Sequence, residues 1–227
     1  MTDTLPSDNA LHTDRIQGIV RAARQTRGFM PDDEGEALLL AALRAGRAVL
    51  PSAGPPTFVE IGAWCGKSSL YLGGAAEATG ATLFSIDHHR GSEENQPGWE
   101  HHEADLVDPS VGQIDTLAHW RRAIGGNDLE SSVVGVVGDS PTVSARWHQP
   151  LHFCFIDGGH GEEPAWADFR GWAPHVALGG WLAIHDVFPN PADGGRPPYD
   201  IYCAALASGD FVDDGTCGSL RVLRRII

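Results

Sequence analysis

From residue 57 onward, short apolar runs alternate with segments whose apolar residues recur at helical spacing, and this alternation constrains the fold more than any other feature. The β-type runs are TFVEI (57–61), TLFSID (82–87), SVVGVV (132–137), LHFCFID (151–157) and GWLAIHDV (180–187). The helical segments between them cover residues 67–79, 112–124, 141–147 and 164–175. Strands that are apolar throughout and separated by helices predict a mostly parallel sheet with helices on both faces. The chain is therefore expected to be an α/β protein.

The two ends of the chain depart from this alternation. Residues 1–12 predict a flexible tail, and helices are expected over 14–26 and 32–50, each beginning with an acidic residue. The segment PSAGPP at 51–56 ends the second helix and leads into the sheet. At the other end, FVDDGTCGSLRVLRR is typical of two strands around a glycine turn, which predicts an antiparallel edge hairpin and seven strands in all. We thus expect a tail and helical extension over 1–56 and one main domain over 57–227.

Charge and hydropathy restrict the partners. The formal net charge is −14, so a phosphate backbone would be repelled unless the basic residues gathered on one face, and no nucleic acid is expected. The apolar stretch 37–50 is interrupted by Arg44 and Arg47 and is shorter than the roughly 20 residues that span a bilayer, so no membrane is expected either. The first fifteen residues lack the basic start and apolar core of a signal peptide, which predicts a cytoplasmic protein.

The first strand leads into a glycine-containing turn and a helix, an arrangement that aims free backbone amides at a ligand. A P-loop needs four residues between its first glycine and the glycine of GK[ST], whereas Gly62 and Gly66 enclose three. The GxGxxG fingerprint of dinucleotide sites is also absent after Gly62. Glu60, at the end of the strand, suits a cationic or hydroxyl-rich ligand better than a phosphate.

Acidic residues also end the second and third strands. Asp87 stands where doubly wound folds hydrogen-bond ribose hydroxyls, although it could instead cap a turn. Asp139 and Ser140 follow the third strand and could bond an adenine edge or cap the next helix. Both positions therefore have a ligand-binding and a structural interpretation.

Four polar residues follow the last two parallel strands: Asp157, His160, His185 and Asp186. Because the carboxyl ends of neighbouring parallel strands meet at one edge of the sheet, their side chains should converge. Two facing carboxylates repel each other, and a bound Mg²⁺ or Mn²⁺ relieves this through its oxygen ligands. Taken singly, Asp157 would be a turn cap and His185 a packing histidine, but together they favour a metal site.

These motifs, in this order, resemble the class I methyltransferases. The set is E-I-G-x-x-x-G-K-S, S-I-D, G-D-S, F-I-D-G-x-H and G-G-x-x-x-x-H-D, and it covers residues 57–187. Within that class the chain is similar to the metal-dependent subgroup that includes macrolide sugar O-methyltransferases and bacterial sugar methyltransferases. The resemblance implies a Rossmann-like methyltransferase fold and S-adenosylmethionine as cofactor.

The resemblance also implies roles for individual residues. The methionine and sulfonium end of the cofactor would contact Glu60, Gly62, Lys67 and Ser68, the ribose Asp87, and the adenine Asp139 and Ser140. Asp157 and Asp186 would hold Mg²⁺ or Mn²⁺, and His160 would be the general base. The sugar enzymes tend to carry an acidic residue just before the second aspartate, whereas this chain has His185. The third ligand is therefore open, with His185 as the candidate and softer ions such as Mn²⁺ favoured.

The implied reaction is attack of an acceptor hydroxyl on the cofactor's methyl group, with a sugar or sugar-containing small molecule as the preferred acceptor. A catechol-type or other natural-product phenol is the nearest alternative. From other classes, a P-loop-like NTPase is an alternative because FCFID resembles a strand ending in a Mg²⁺-binding aspartate, and a non-catalytic dimerising module is another. A homodimer is compatible with each of these functions.

A histidine-rich loop lies between the second and third strands. His88, His89, His101 and His102 could bind a metal, although solvated histidines are the commoner explanation. Together with Trp99 and the segment 187–200, the loop is expected to form the wall or lid of the acceptor site.

Overall fold

A seven-stranded sheet forms the centre of the fold in the computed structural model, which describes residues 14–50, 52, 54–99 and 102–227. In chain order the strands are β1 (Thr57–Ile61), β2 (Thr82–Asp87), β3 (Val107–Asp108), β4 (Gln113–Ile114), β5 (Val133–Val137), β6 (Leu151–Ile156), β7 (Val176–Ile184), β8 (Phe211–Cys217) and β9 (Leu220–Arg225). The sheet order is β5-β2-β1-β6-β7-β9-β8, and β3 pairs separately with β4. Strand β9 runs antiparallel to both of its neighbours, whereas β5, β2, β1, β6 and β7 are parallel.

Helices cover both faces of this sheet. They are α1 (Asp14–Gln25), α2 (Asp32–Ala48), α3 (Lys67–Thr79), α4 (Leu117–Gly125), α5 (Ser140–Ser144), α6 (Glu162–Trp172) and α7 (Pro197–Ser208). Helices α1, α2, α3 and α4 pack on one face of the sheet and form one apolar cluster with it. Helices α5, α6 and α7 form a second cluster on the other face. Because side chains alternate along a strand, Phe58 of β1 belongs to the first cluster and Val59 to the second. None of the described helices combines the length and apolarity needed to cross a membrane.

The predicted fold class is confirmed: the sheet has seven strands, five of them parallel, and ends in an antiparallel hairpin. The predicted helices over 14–26, 32–50 and 67–79 correspond to α1, α2 and α3. Helices α1 and α2 pack on α3, so the described part of the extension shares the core of the main domain. The predicted tail over 1–12 and part of the 51–56 linker lie outside the described residues.

Two segments differ from the prediction. The helix expected over 112–124 begins only at Leu117, because Ile114 is buried in β4 and the Asp115 carboxylate accepts a hydrogen bond from the Leu117 amide at 3.0 Å. Helix α7 was not expected, and its first residues fall within the segment 187–200 that was assigned to a loop. Its apolar residues lie on all sides of the helix and show no single face in the sequence, so the buried positions Ile201 and Ala205 are recognised only from their packing on the sheet.

Candidate active site

A cavity of about 440 Å³ opens where the five parallel strands end. Each of these strands contributes a residue at or just beyond its last position: Gly62, Asp87, Asp139, Asp157 and Asp186. The chain runs outward from β1 through β2 to β5 on one side and continues from β6 to β7 on the other. The cavity therefore lies at the topological switch point, where doubly wound sheets bind their ligands.

The turn between β1 and α3 is held by Asp87. Its Oδ2 atom accepts hydrogen bonds from the amides of Ala63 and Trp64 at 3.0 and 2.8 Å, and its Oδ1 atom accepts one from the His89 amide at 2.7 Å. Gly62 adopts a φ of 89°, and a Cβ atom there would lie 2.0 Å from the Asp157 carbonyl oxygen. The structure thus shows the turn-capping role of Asp87, and the carboxylate also lines the cavity where a ribose contact was predicted.

In the turn after β5, as in the turn after β1, an aspartate carboxylate accepts hydrogen bonds from nearby residues. Asp139 caps α5, its Oδ2 atom accepting hydrogen bonds from the amide and hydroxyl of Thr142 at 3.0 and 2.7 Å. Ser140 donates a 2.5 Å hydrogen bond to Asp168 of α6 and accepts one from the Trp172 indole at 2.8 Å. Burial raises the pKa of Asp168 to about 6 despite the Ser140 hydrogen bond. Asp168 lines the cavity and was missed, although an acidic residue among the apolar positions of a helix was a signal.

Three of the predicted cofactor residues lie away from the cavity. Ile61 faces the cavity, so the alternation of side chains along β1 turns Glu60 to the opposite face of the sheet, beneath α3. Ser68 is buried, and its hydroxyl lowers the pKa of Glu60. Lys67 also points away, its Nζ atom lying 2.9 Å from Asp32 Oδ1. The structure therefore does not bring Glu60, Lys67 or Ser68 to the site where direct cofactor contacts were expected.

Glu60 instead forms a buried polar cluster. Its Oε2 atom accepts hydrogen bonds from the Ser69 and Ser85 hydroxyls, both at 2.5 Å, while Oε1 has no hydrogen-bond partner among the described residues. Burial raises the pKa of Glu60 to about 7, outweighing the hydroxyl contacts, which lower it.

This cluster makes stability depend on pH. Between the ordinary glutamate pKa of 4.5 and the folded pKa of about 7, the folded chain holds a proton at Glu60 that the unfolded chain has released. The free energy of unfolding should therefore fall as pH rises through this range, and Glu60→Gln should remove roughly 1 to 3 kcal/mol of that fall. Urea titrations of both proteins at several pH values measure the difference. Parallel pH profiles for the two proteins would contradict the assignment.

Next to the β1–α3 turn lie Asp157, His160 and Asp186. Their potential metal-binding atoms all lie within 4.8 Å of one another. They follow β6 and β7, as the adjacent strand ends predicted. Asp186 adopts a φ of 55°, a left-handed conformation that costs a non-glycine residue about 1 to 3 kcal/mol and tends to persist at functional sites. The group combines two carboxylates with one imidazole, a donor set suited to a divalent cation.

His160 lies between two carboxylates. Its Nδ1 atom is 3.0 Å from Glu94 Oε1, and its Nε2 atom is 2.9 Å from Asp186 Oδ2, an ion-pair contact without hydrogen-bond geometry. Burial lowers the pKa of His160, but the two carboxylates outweigh it and raise the pKa to about 10. The residue is in the expected place, and it is an imidazolium as long as both carboxylates face it.

His185 does not join this group, contrary to the expectation that it would supply the third ligand. Its Nδ1 atom lies 3.1 Å from Asp157 Oδ1, and its Nε2 atom lies 2.8 Å from Oε2 of Glu34 in α2. Although burial lowers the pKa of His185, the carboxylates of Asp157, Asp186 and Glu34 raise it well above the ordinary value. Both ring nitrogens of His185 therefore face carboxylates, and neither belongs to the group of potential metal-binding atoms that Asp157, His160 and Asp186 form. His160, rather than His185, lies with the two aspartates in this group, and Glu34, which contacts His185, had no sequence signal.

The remaining walls come from outside the strand ends. Phe29, from the segment between α1 and α2, and Trp64 both line the cavity, with ring centroids 5.9 Å apart. Residues 91–95 of the histidine-rich loop line it too, in line with the expected wall, whereas Trp99 and the segment 187–200 do not.

The histidines of this loop have varied roles. His88 lines the cavity, the His89 Nδ1 atom is 2.8 Å from the Thr116 hydroxyl, and the His102 Nδ1 atom is 2.9 Å from the Asn95 carbonyl. None of these three belongs to a metal-ligand group in the described part of the chain. His101 lies outside the described residues.

Comparison with known proteins decides the family. The sequence model of a family described as "Methyltransferase domain" matches residues 59–187, more than half of the chain. The chain belongs to this methyltransferase family. The matched region runs from β1 to just beyond β7 and includes the residues at all five strand ends around the cavity. The P-loop alternative is thereby set aside.

Solved structures share the fold of this methyltransferase. The O-methyltransferase NovP superposes with a TM-score of 0.61 at 18% identity, covering 83% of this chain and 79% of NovP. TomG from Streptomyces achromogenes, an O-methyltransferase of tomaymycin synthesis determined in complex with SAM, superposes with a TM-score of 0.59 at 14% identity. The match covers 95% of this chain and 91% of TomG. An O-methyltransferase from Bacillus cereus in complex with SAH superposes with a TM-score of 0.60 at 16% identity, and the match covers 99% of this chain and 94% of that enzyme. At these identities the likeness concerns the fold.

Proposed function

We propose that this methyltransferase transfers the methyl group of S-adenosylmethionine to a hydroxyl oxygen of a small molecule, assisted by a divalent metal. The observation that carries the proposal is the convergence of Asp157, His160 and Asp186 in the wall of the cavity at the parallel strand ends. The related folds of TomG and the Bacillus cereus enzyme, determined with SAM and SAH, support the choice of cofactor.

The cofactor would lie across the β1 and β2 ends. Gly62 lets the chain pass close to Asp157, and Asp87 keeps a carboxylate at the cavity for the ribose hydroxyls. Asp139, Ser140 and Asp168 would meet the adenine. S-adenosylmethionine supplies an electrophilic methyl group on a sulfonium, and the acidic lining of the cavity suits that positive charge.

The side chains present fit Mg²⁺ or Mn²⁺. Asp157 and Asp186 would hold the ion, since carboxylate oxygens suit it and, among the described residues, only His160 and His185 form ion pairs with these two carboxylates. Burial and the nearby Asp186 raise the pKa of Asp157, while the His185 contacts lower it. The metal, when bound, acts as a Lewis acid that lowers the pKa of the acceptor hydroxyl.

His160 would be the residue that accepts the hydroxyl proton. Glu94 holds Nδ1, which leaves Nε2, the nitrogen on the side of Asp186, to take the proton. As the proton leaves, the new carbon–oxygen bond forms, the carbon–sulfur bond breaks, and the electron pair remains on the sulfur of the demethylated cofactor. Because Asp186 raises the pKa of His160, the imidazole can be neutral only when the Asp186 carboxylate turns away from it and pairs with another cation.

The preferred acceptor is a sugar or a sugar-containing molecule. The cavity wall offers Ser92, Glu93, Glu94 and Asn95, whose oxygens can hydrogen-bond hydroxyl groups. The Phe29 and Trp64 rings offer an apolar face beside them. That same aromatic pair also suits a flat phenol, so a catechol-type acceptor is the second candidate.

The homodimer that was expected from the sequence stays a prediction.

Transfer of a labelled methyl group tests this function. With a panel of sugars and catechols, activity should be abolished by excess chelator and restored by Mg²⁺ or Mn²⁺. S-adenosylhomocysteine should still bind in chelator when measured by calorimetry, which separates loss of metal from loss of cofactor. Full transfer in excess chelator would rule out the metal, and no binding of the cofactor product would rule out the proposed function as a whole.

A further inference from the structure

Glu34 is a buried carboxylate that the proposed reaction does not use. It lies in the first turn of α2, in the N-terminal extension, and its side chain is 7% exposed. A buried charge is costly unless it is paired and hydrogen-bonded. The partners that stabilise the buried charge of Glu34 therefore indicate the role of this residue.

The contacts of Glu34 lead in two directions. Its Oε2 atom is 2.8 Å from His185 Nε2, and the His185 side chain is 4% exposed. On the other side, the Ser219 amide donates to Oε1 at 2.9 Å and the Ser219 hydroxyl donates to Oε2 at 2.8 Å. Ser219 lies in the turn between β8 and β9. Glu34 thus joins the helical extension both to the edge hairpin and to the candidate metal site.

His185 carries the connection on to the carboxylates. Its Nδ1 atom is 3.1 Å from Asp157 Oδ1 and 3.3 Å from Asp186 Oδ2. With one nitrogen fixed by Glu34 and the other facing both aspartates, the ring has a single orientation. Partners of this kind, one step removed from the metal, set the orientation of the ligands, and their loss typically weakens metal binding 10- to 100-fold.

We propose that Glu34 is a positioning residue, which acts through His185 to hold Asp157 and Asp186 in the arrangement that binds the divalent metal. The inference rests on the proposed metal site. Without Glu34, His185 loses the partner that fixes its ring, and the ring no longer holds the two aspartates in place. Metal binding then weakens, so the N-terminal extension forms part of the active site.

The alternative is that Glu34 only anchors the β8–β9 turn. Ser219 supplies the matched control, because Ser219→Ala removes a hydroxyl contact to Glu34 and leaves His185 untouched. Glu34→Gln keeps the size of the side chain and removes its charge. Comparing these two variants separates the connection to the metal site from the connection to the hairpin.

Mn²⁺ binding to the full chain, followed by electron paramagnetic resonance, tests the proposal. Glu34→Gln should weaken Mn²⁺ binding roughly 10-fold or more, with S-adenosylhomocysteine affinity within about twofold of wild type by calorimetry. Ser219→Ala should bind Mn²⁺ like the wild type. His185→Gln should show a similar loss, and the double variant Glu34→Gln/His185→Gln should lose little more, because both residues act through one connection.

Each other outcome has a definite meaning. Wild-type Mn²⁺ affinity in Glu34→Gln, or an equal loss in Ser219→Ala, overturns the positioning role and leaves the proposed metal site standing. If Glu34→Gln does not fold, His185→Gln decides: wild-type Mn²⁺ affinity in that variant overturns the proposal. A wild-type protein that binds no Mn²⁺ defeats both the metal site and the positioning role.

Discussion

Replacing His160 by alanine is expected to lower kcat by roughly 10² to 10⁴ while leaving the affinity for S-adenosylhomocysteine nearly unchanged. The imidazole stands beside Asp186, and Glu94 holds its Nδ1 atom at 3.0 Å. A general base acts on the transition state, so its removal affects the chemical step rather than cofactor binding. Steady-state kinetics and calorimetry on the same preparation measure the two effects.

The exposed His148 gives a matched control, since His148→Ala should leave both quantities unchanged. Mn²⁺ binding distinguishes the two roles open to His160, because a base can be removed without loss of the metal and a ligand cannot. A His160→Ala enzyme with near-native kcat would mean that this residue only supports the structure. A variant that loses Mn²⁺ binding would make His160 a metal ligand.

Gly62→Ala is expected to destabilise the protein by roughly 2 to 5 kcal/mol and to impair both cofactor and metal binding. An added Cβ would lie 2.0 Å from the Asp157 carbonyl oxygen, and relief would require β1 and β6 to separate at the site. The φ of 89° adds the strain of a left-handed conformation. Chemical denaturation measures the stability, and calorimetry with S-adenosylhomocysteine measures the binding.

Gly80 separates the two causes of this loss. It also has a left-handed conformation, with a φ of 70°, but a Cβ there meets nothing within 4 Å. Gly80→Ala should therefore cost only about 1 to 2 kcal/mol and leave binding intact. Equal losses in the two variants would show that backbone strain, rather than the approach of Gly62 to Asp157, sets the cost.

Much of the fold and part of the site could be predicted because their causes are local. The apolar runs gave the positions of the parallel strands, and the polar residue at the end of each strand necessarily lies at the shared edge of the sheet. This is why Asp87, Asp139, Asp157 and Asp186 all line the cavity. The position of Glu60 was available from the same pattern, since it alternates with the cavity-facing Ile61.

The sequence by itself determined the seven strands of the main sheet, the carboxylates at the strand ends and the family resemblance, because each depends on short stretches of chain. Only the tertiary structure decided that His185 faces Glu34, 151 residues away, and that His160 completes the cluster with the two aspartates. The partner of a buried histidine depends on how α2 packs against the edge hairpin. Spacing along the chain carries no information about that packing, because it results from the combined burial of many side chains.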